Sequence, residues 1–206
     1  MTIKDRSRLD DFYSQKARKL GYPARSVFKL AEFDQKMSLF KPGQIVLDLG
    51  CAPGSWTKYV AEKVGSKGLV VGVDLTVPPG QWPNWVKLVA ADLLEGPKTL
   101  LALSQNLATK VDAVLSDLAP KTTGRPEVDQ AQSLELVLRA WELAQAFLKE
   151  GGLFLFKVFQ SPAADEFVVS LKKSFRGLKR LKPKASRSAS QEIFVLTTGF
   201  LANKGR

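Results

Sequence analysis

The sequence predicts an α/β domain built on a mostly parallel sheet. Three observations carry that expectation. Five short runs rich in Val, Leu, Ile and Ala alternate with stretches of helical spacing, the signature of parallel strands joined by crossover helices. The first run leads into a glycine-containing turn, L-D-L-G-C-A-P-G-S-W at residues 47–56, that opens a helix. The last two strand-like runs have only a polar loop between them, which predicts a C-terminal hairpin and one antiparallel strand in a seven-stranded sheet.

Residues 1–22 are polar and charged and read as a basic N-terminal arm, loosely ordered or a short helix, ahead of a single domain at 23–206. From Ala24 to Met37 the apolar side chains Val27, Phe28, Leu30, Ala31, Phe33 and Met37 recur at helical spacing. Lys41-Pro42-Gly43 breaks that pattern. Strands are expected at Ile45–Leu49, Leu69–Asp74, Val86–Ala90, Val111–Ser116 and Leu153–Val158. Helices are expected at Trp56–Val64, Lys98–Asn106, Gln130–Glu150 and Ala164–Ser174. Leu178–Lys182 and Glu192–Thr198 form the terminal hairpin.

A chain of 206 residues, 45% hydrophobic and 25% charged, suits one well-packed domain. No apolar run is long enough to span a membrane, and MTIKDRSRLDDF lacks the apolar region of a secretory signal. The single cysteine, Cys51, fits a reducing, cytoplasmic setting. Histidine is absent, which excludes Ser-His-Asp and Cys-His catalysis and histidine-bearing zinc sites; no metal is expected. The net charge of +11 is unevenly placed. Residues 1–29 hold eight Lys/Arg against three Asp, and residues 172–187 hold eight with no acid, so the remainder is slightly acidic. A near-neutral body with basic ends suits a polyanion such as RNA. The candidate contacts are Arg18, Lys19 and Arg25 in the arm and Lys179, Arg180, Lys182, Lys184 and Arg187 near the hairpin.

The glycine turn places Gly50, Cys51, Pro53, Gly54, Ser55 and Trp56 as candidate cofactor contacts. Its spacing is G-x-x-x-G with a proline inside, not G-x-G-x-x-G, and no Lys-Ser/Thr follows, so diphosphate binding has little support. Asp74, followed by Leu75, closes the second strand, where a carboxylate accepts ribose hydroxyls. Asp92, followed by Leu93, closes the third and suits an exocyclic amine. Either aspartate alone reads as a turn cap; together they mark a site at the carboxyl edge of the sheet. An adenosyl ligand without phosphates, S-adenosylmethionine, fits that pattern, with a dinucleotide as the rival. Trp82 and Trp85 read as plugs of the sheet edge or as stacking surfaces for a base.

In L-F-L-F-K-V-F-Q-S-P, residues 153–162, seven of ten side chains are apolar and Lys157 stands among them. Burying an amine costs several kcal/mol unless it is paired or deprotonated. Asp117, at the end of the fourth strand, and Glu192, at the start of an antiparallel last strand, are expected at the same edge. Lys29 lies on the first helix of the domain. Singly, each has a plainer role, such as a turn cap, a surface ion pair or a snorkelling amine.

R-S-V-F-K-L, L-D-L-G-C-A-P-G-S-W, S-D-L-A-P, F-K-V-F-Q and S-Q-E-I-F, in that order across residues 20–199, resemble the FtsJ/RrmJ (RlmE) family of ribose 2′-O-methyltransferases. The resemblance implies a Rossmann-like S-adenosylmethionine-dependent methyltransferase fold with helices on both faces. It implies a catalytic Lys-Asp-Lys-Glu tetrad at Lys29, Asp117, Lys157 and Glu192, with Lys157 as general base, and cofactor contacts at Gly54, Trp56, Asp74, Asp92 and Asp117. Cys51 and Ser55 depart from the family's usual Ala and Gly. The implied activity is 2′-O-methylation of a ribose in RNA, a uridine of large-subunit (23S) ribosomal RNA, by a cytoplasmic monomer working on ribosomal RNA or the large ribosomal subunit. Transfer-RNA anticodon-loop methylation and a non-catalytic ribosome-assembly role are the alternatives. An amino-group methyltransferase motif would need an aromatic residue after Pro120, where Lys121 stands.

Overall fold

The computed structural model describes residues 12–183 and 191–202. Residues 12–19 are helical (α1). Then follow α2 (Val27–Met37), β1 (Ile45–Leu49), α3 (Ser55–Val64), β2 (Leu69–Asp74), β3 (Val86–Ala90), α4 (Gly96–Asn106) and β4 (Val111–Ser116). The chain continues through α5 (Pro126–Phe147), β5 (Leu148–Phe159), α6 (Pro162–Ser170), a 3₁₀ turn (Leu171–Lys173), β6 (Phe175–Leu181) and β7 (Glu192–Phe200). One seven-stranded sheet runs in the order β3-β2-β1-β4-β5-β7-β6. β7 is antiparallel to both of its neighbours, and the pairings among β1 to β5 are parallel. Helices cover both faces: α2 and α3 pack with Val46, Val70 and Leu155, whereas α4, α5 and α6 pack with Leu47, Val71 and Phe156. Among the described residues no helix is long and apolar enough to cross a membrane.

The first four strands begin and end where their apolar runs do. The differences lie at helix ends. α5 starts at Pro126, four residues before the expected Gln130, because a proline suits the first helical turn and Asp129 accepts hydrogen bonds from Thr123 N–H and Oγ1. It stops at Phe147, not Glu150, because Leu148 is extended and pairs with Val111. β5 therefore begins five residues earlier than expected, across Gly151 and Gly152. Ser161 caps α6 by accepting from Ala164 N–H at 3.2 Å, and Phe175 starts β6 ahead of Leu178.

Phe194 ties the two layers of the α2 side together. It is fully buried, pairs in register with Lys157, and meets Phe33 and Trp56 at ring distances of 5.3 and 5.9 Å. Phe194→Ala is expected to cost about 3–5 kcal/mol of unfolding free energy in urea titrations. A loss below about 1 kcal/mol would show that the cluster does not hold this face together.

Candidate active site

The strand order reverses between β1 and β4, and the ends of these strands open a crevice at the carboxyl edge. A cleft of about 400 Å³ lies there, lined by Gly50, Ala52, Asp74, Leu75, Asp92, Leu93, Asp117 and Leu118 among others. Backbone geometry makes it. Gly50 adopts φ +77°, and a Cβ on it would sit 2.6 Å from Leu118 Cδ2. Gly54 adopts φ +104°, and a Cβ there would meet Trp82 at 2.9 Å. Gly50 and Cys51 N–H groups donate to Val73 O, and Ala52 N–H donates to Asp74 Oδ2 at 3.0 Å.

The lining carries three carboxylates, small apolar side chains and no Lys or Arg. That donor set suits a cationic ligand with hydroxyls and an amine to offer, and it disfavours phosphates. Asp74 accepts from Thr76 N–H at Oδ1 and from Ala52 N–H at Oδ2, and Asp92 Oδ1 accepts from Leu94 N–H, which leaves lone pairs on both carboxylates for a ligand.

Of the expected cofactor contacts, Gly50, Asp74, Leu75, Asp92, Leu93 and Asp117 line the cleft. The others support it. Cys51 is buried against Gly72, and its thiol is pushed far up by burial, then by Asp48 and Asp74. Pro53 follows a cis peptide bond in the loop. Ser55 Oγ accepts from Ala24 N–H at 2.6 Å and donates to Ala24 O at 3.1 Å. Trp56 Nε1 donates to Ser26 O at 3.0 Å. Ser55 and Trp56 thus hold the segment leading to α2 rather than facing the cleft. Trp85 Nε1 donates to Ala61 O, and both Trp82 and Trp85 pack against the core of the α2 face as plugs.

The charged quartet forms two ion pairs around Phe194. Lys157, 5% exposed, donates to the Asp117 main-chain carbonyl at 2.8 Å. Its Nζ also lies 2.8 Å from Asp117 Oδ1, a buried oxygen met off the hydrogen-bond direction. Lys29 Nζ meets Glu192 Oε1 at 2.5 Å and sits 5.3 Å above the Phe194 ring. Lys157 is the ladder partner of Phe194, and Glu192 stands two residues before Phe194 on the same face. Asp117 belongs to both the cleft and the quartet.

The expected RNA contacts do not form one patch. β6 runs from Phe175, opposite Phe200, to Leu181, opposite Phe194, so Lys172, Lys173 and Arg176 lie toward the edge away from the quartet, and Lys182 toward it. Lys179 and Arg180 alternate to opposite faces, and Arg180 pairs with Asp165 of α6 at 2.8 Å. Arg18 and Lys19 are exposed on α1, whereas Arg25 is half-buried. Lys184 and Arg187 lie outside the described residues.

Asp48 and Thr57 carry no expectation from sequence. Asp48 sits on β1 beneath the glycine turn, 1% exposed, accepting from Thr57 Oγ1 at 2.6 Å. Burial pushes its carboxyl up to about 7, with Asp117 and Asp74 adding repulsion. The signal was available: a charged side chain inside the apolar run I-V-L-D-L, the same anomaly that marks Lys157.

A carboxylate-lined cleft at the switch point of a mixed seven-stranded sheet, with Asp117 of its lining paired to the buried Lys157, has the architecture of a Rossmann-like methyltransferase. Residues 22–200 match the FtsJ-like methyltransferase model, and the chain belongs to that family. A protein of Coxiella burnetii (strain Dugway 5J108-111), Ribosomal RNA large subunit methyltransferase E, is 43% identical over 200 residues, 95% of this chain and 93% of that one. A protein of the same name from Nitratidesulfovibrio vulgaris (strain DP4) is 42% identical over 190 residues, 92% and 93% of the two chains. A Plasmodium falciparum crystal structure assigned as a ribosomal RNA methyltransferase superposes with a TM-score of 0.78 at 26% identity, covering 88% of this chain and all of that one. S-adenosylmethionine is the methyl donor of this enzyme, and the cleft residues fit it.

Because the Asp48 carboxyl is held near 7, far above its ordinary value, the folded protein retains a proton that the unfolded chain releases. That contribution to stability is complete below about pH 4 and is lost as pH rises through about 7. Asp48→Asn keeps the Thr57 partner without the charge. Its stability relative to the parent is expected to rise by a few kcal/mol between pH 5 and 8 in parallel denaturant titrations. A difference independent of pH would place the Asp48 proton elsewhere.

Proposed function

We propose that this chain transfers a methyl group to a ribose 2′-hydroxyl of RNA, in large-subunit ribosomal RNA as the names of its relatives say of them. The partner on this reading is ribosomal RNA or the large ribosomal subunit, met in the cytoplasm, and the enzyme works as a monomer. Residues 23–206 act as the catalytic domain and residues 1–22 as a basic arm. The observation that carries the reading is the Lys157–Asp117 pair on the wall of an acidic cleft, with Lys29–Glu192 across Phe194.

The bound donor supplies a sulfonium methyl carbon open to in-line attack. A ribose hydroxyl is a weak nucleophile until it loses its proton, and no histidine is present to take it. We assign that proton to Lys157 Nζ, whose amine accepts it only in the neutral form. Asp117 fixes the nitrogen through two contacts, so the side chain has little orientation to lose at the reacting moment. Glu192, held by Lys29, is placed to accept from a ribose hydroxyl, and Lys29 balances its charge. Gly50, Asp74, Leu75, Asp92, Leu93 and Asp117 hold the donor directly, with Cys51, Pro53, Gly54, Ser55 and Trp56 shaping the loop. Lys19, Arg25, Lys179 and Lys182 contact phosphates and set register without reading sequence. Arg18, Arg180, Lys184 and Arg187 are further candidates for phosphate contact.

Lys157→Ala and Lys157→Arg are each expected to lower turnover by about 100-fold or more while donor binding by calorimetry stays near normal. Near-parental turnover in Lys157→Arg would remove Lys157 as the base, since a guanidinium does not accept the proton. RNA affinity is expected to fall steeply and log-linearly with salt. Mapping the 2′-O-methyl positions lost when the protein is absent identifies the target; no lost position in large-subunit RNA overturns the assignment.

A further inference from the structure

Phe12 is the one exposed aromatic side chain among the described residues, 56% accessible on helix α1. It meets Tyr13 edge-on with ring centroids 5.5 Å apart, which covers one face of a ring at most. Tyr13 leans on Phe28 at 5.5 Å, and Lys16 Nζ lies 5.2 Å over the Phe28 ring. Helical spacing places Phe12, Lys16 and Lys19 along one side of α1, while Ala17 turns inward and is buried. Phe28, against which Tyr13 packs, belongs to α2, the helix that also carries Lys29.

We infer that this surface is a stacking platform for an unpaired base of single-stranded RNA. The inference rests on the RNA reading above and narrows it to a looped or opened segment. A phenyl face accepts any base by stacking, and neighbouring ammonium groups hold the phosphates on either side. Bases inside a duplex are already stacked and do not offer their faces, so the platform discriminates against paired RNA. Lys16 and Lys19 neutralise phosphates in either case. Phe12 contributes only where a base is free.

The test is anisotropy of the full chain with a fluorescein-labelled, unstructured RNA of about 15 nucleotides and with the same strand in a duplex. Phe12→Ala is expected to weaken single-strand binding about tenfold, with an unchanged salt slope and unchanged duplex binding. Phe12→Trp is expected to restore it. Lys16→Ala is expected to reduce the salt slope by about one for both RNAs. Parental single-strand affinity in Phe12→Ala, or an equal loss for both RNAs, overturns the platform and leaves the RNA reading in place. Failure of the parent protein to bind either RNA overturns both. Exposure of Phe12 makes a folding defect an unsuitable explanation, and the tryptophan variant controls for it.

Discussion

The direction of β7 is the constraint on which the site depends. A strand that ran parallel to β5 would start at the far edge of the sheet. Running antiparallel, β7 begins where β5 ends, with Glu192 opposite Phe159 and Phe194 opposite Lys157. A residue 163 positions from Lys29 thereby comes into hydrogen-bond contact with it. The same register buries Phe194 between the two lysine-bearing elements, so apolar packing holds two ion pairs that solvent-exposed side chains would keep only loosely. The hairpin that looks like an appendage to a parallel sheet supplies Glu192 and Phe194 to the charged quartet.

Charge is sorted by depth. The surface is basic at the N-terminal helix and along part of β6, whereas the cleft is lined by carboxylates and no cation. Asp48 lies deeper still, where burial, reinforced by the nearby Asp117 and Asp74, pushes its carboxyl up to about 7. A polyanion is drawn to the rim and repelled from the interior. A cationic cofactor meets the opposite field. Basic surface and carboxylate-lined cleft thus suit a polyanion and a cationic cofactor at different places on the molecule.

Much of this was legible in the residues. β1, β2, β3 and β4 are apolar runs bounded by turn residues, and their limits follow from that pattern alone. Three members of the quartet were visible as charges at or near strand ends, and the fourth, Lys29, as a lysine on the first helix. Helix ends were less so, because the start of α5 depends on a Thr123–Asp129 contact and its end on Leu148 joining a ladder with Val111, both tertiary decisions. The basic run at 172–187 looked like one patch in sequence. Among the described residues, the 3₁₀ turn holds Lys172 and Lys173, and strand alternation on β6 sends Lys179 and Arg180 to opposite faces. Asp48 escaped notice because it sits inside a motif whose glycines drew the eye, although a lone acid in an apolar strand is as costly as a lone lysine.

Ser55 and Trp56 hydrogen-bond backwards to Ala24 and Ser26, three to five residues before Lys29. The loop that shapes the cleft and the segment leading into the helix of Lys29 are therefore one mechanical piece. Such a molecule does not divide into a methyl-donating half and an RNA-holding half that could be exchanged or recombined separately. A change that loosens the Ser55–Ala24 or Trp56–Ser26 contact therefore slackens both ends at once.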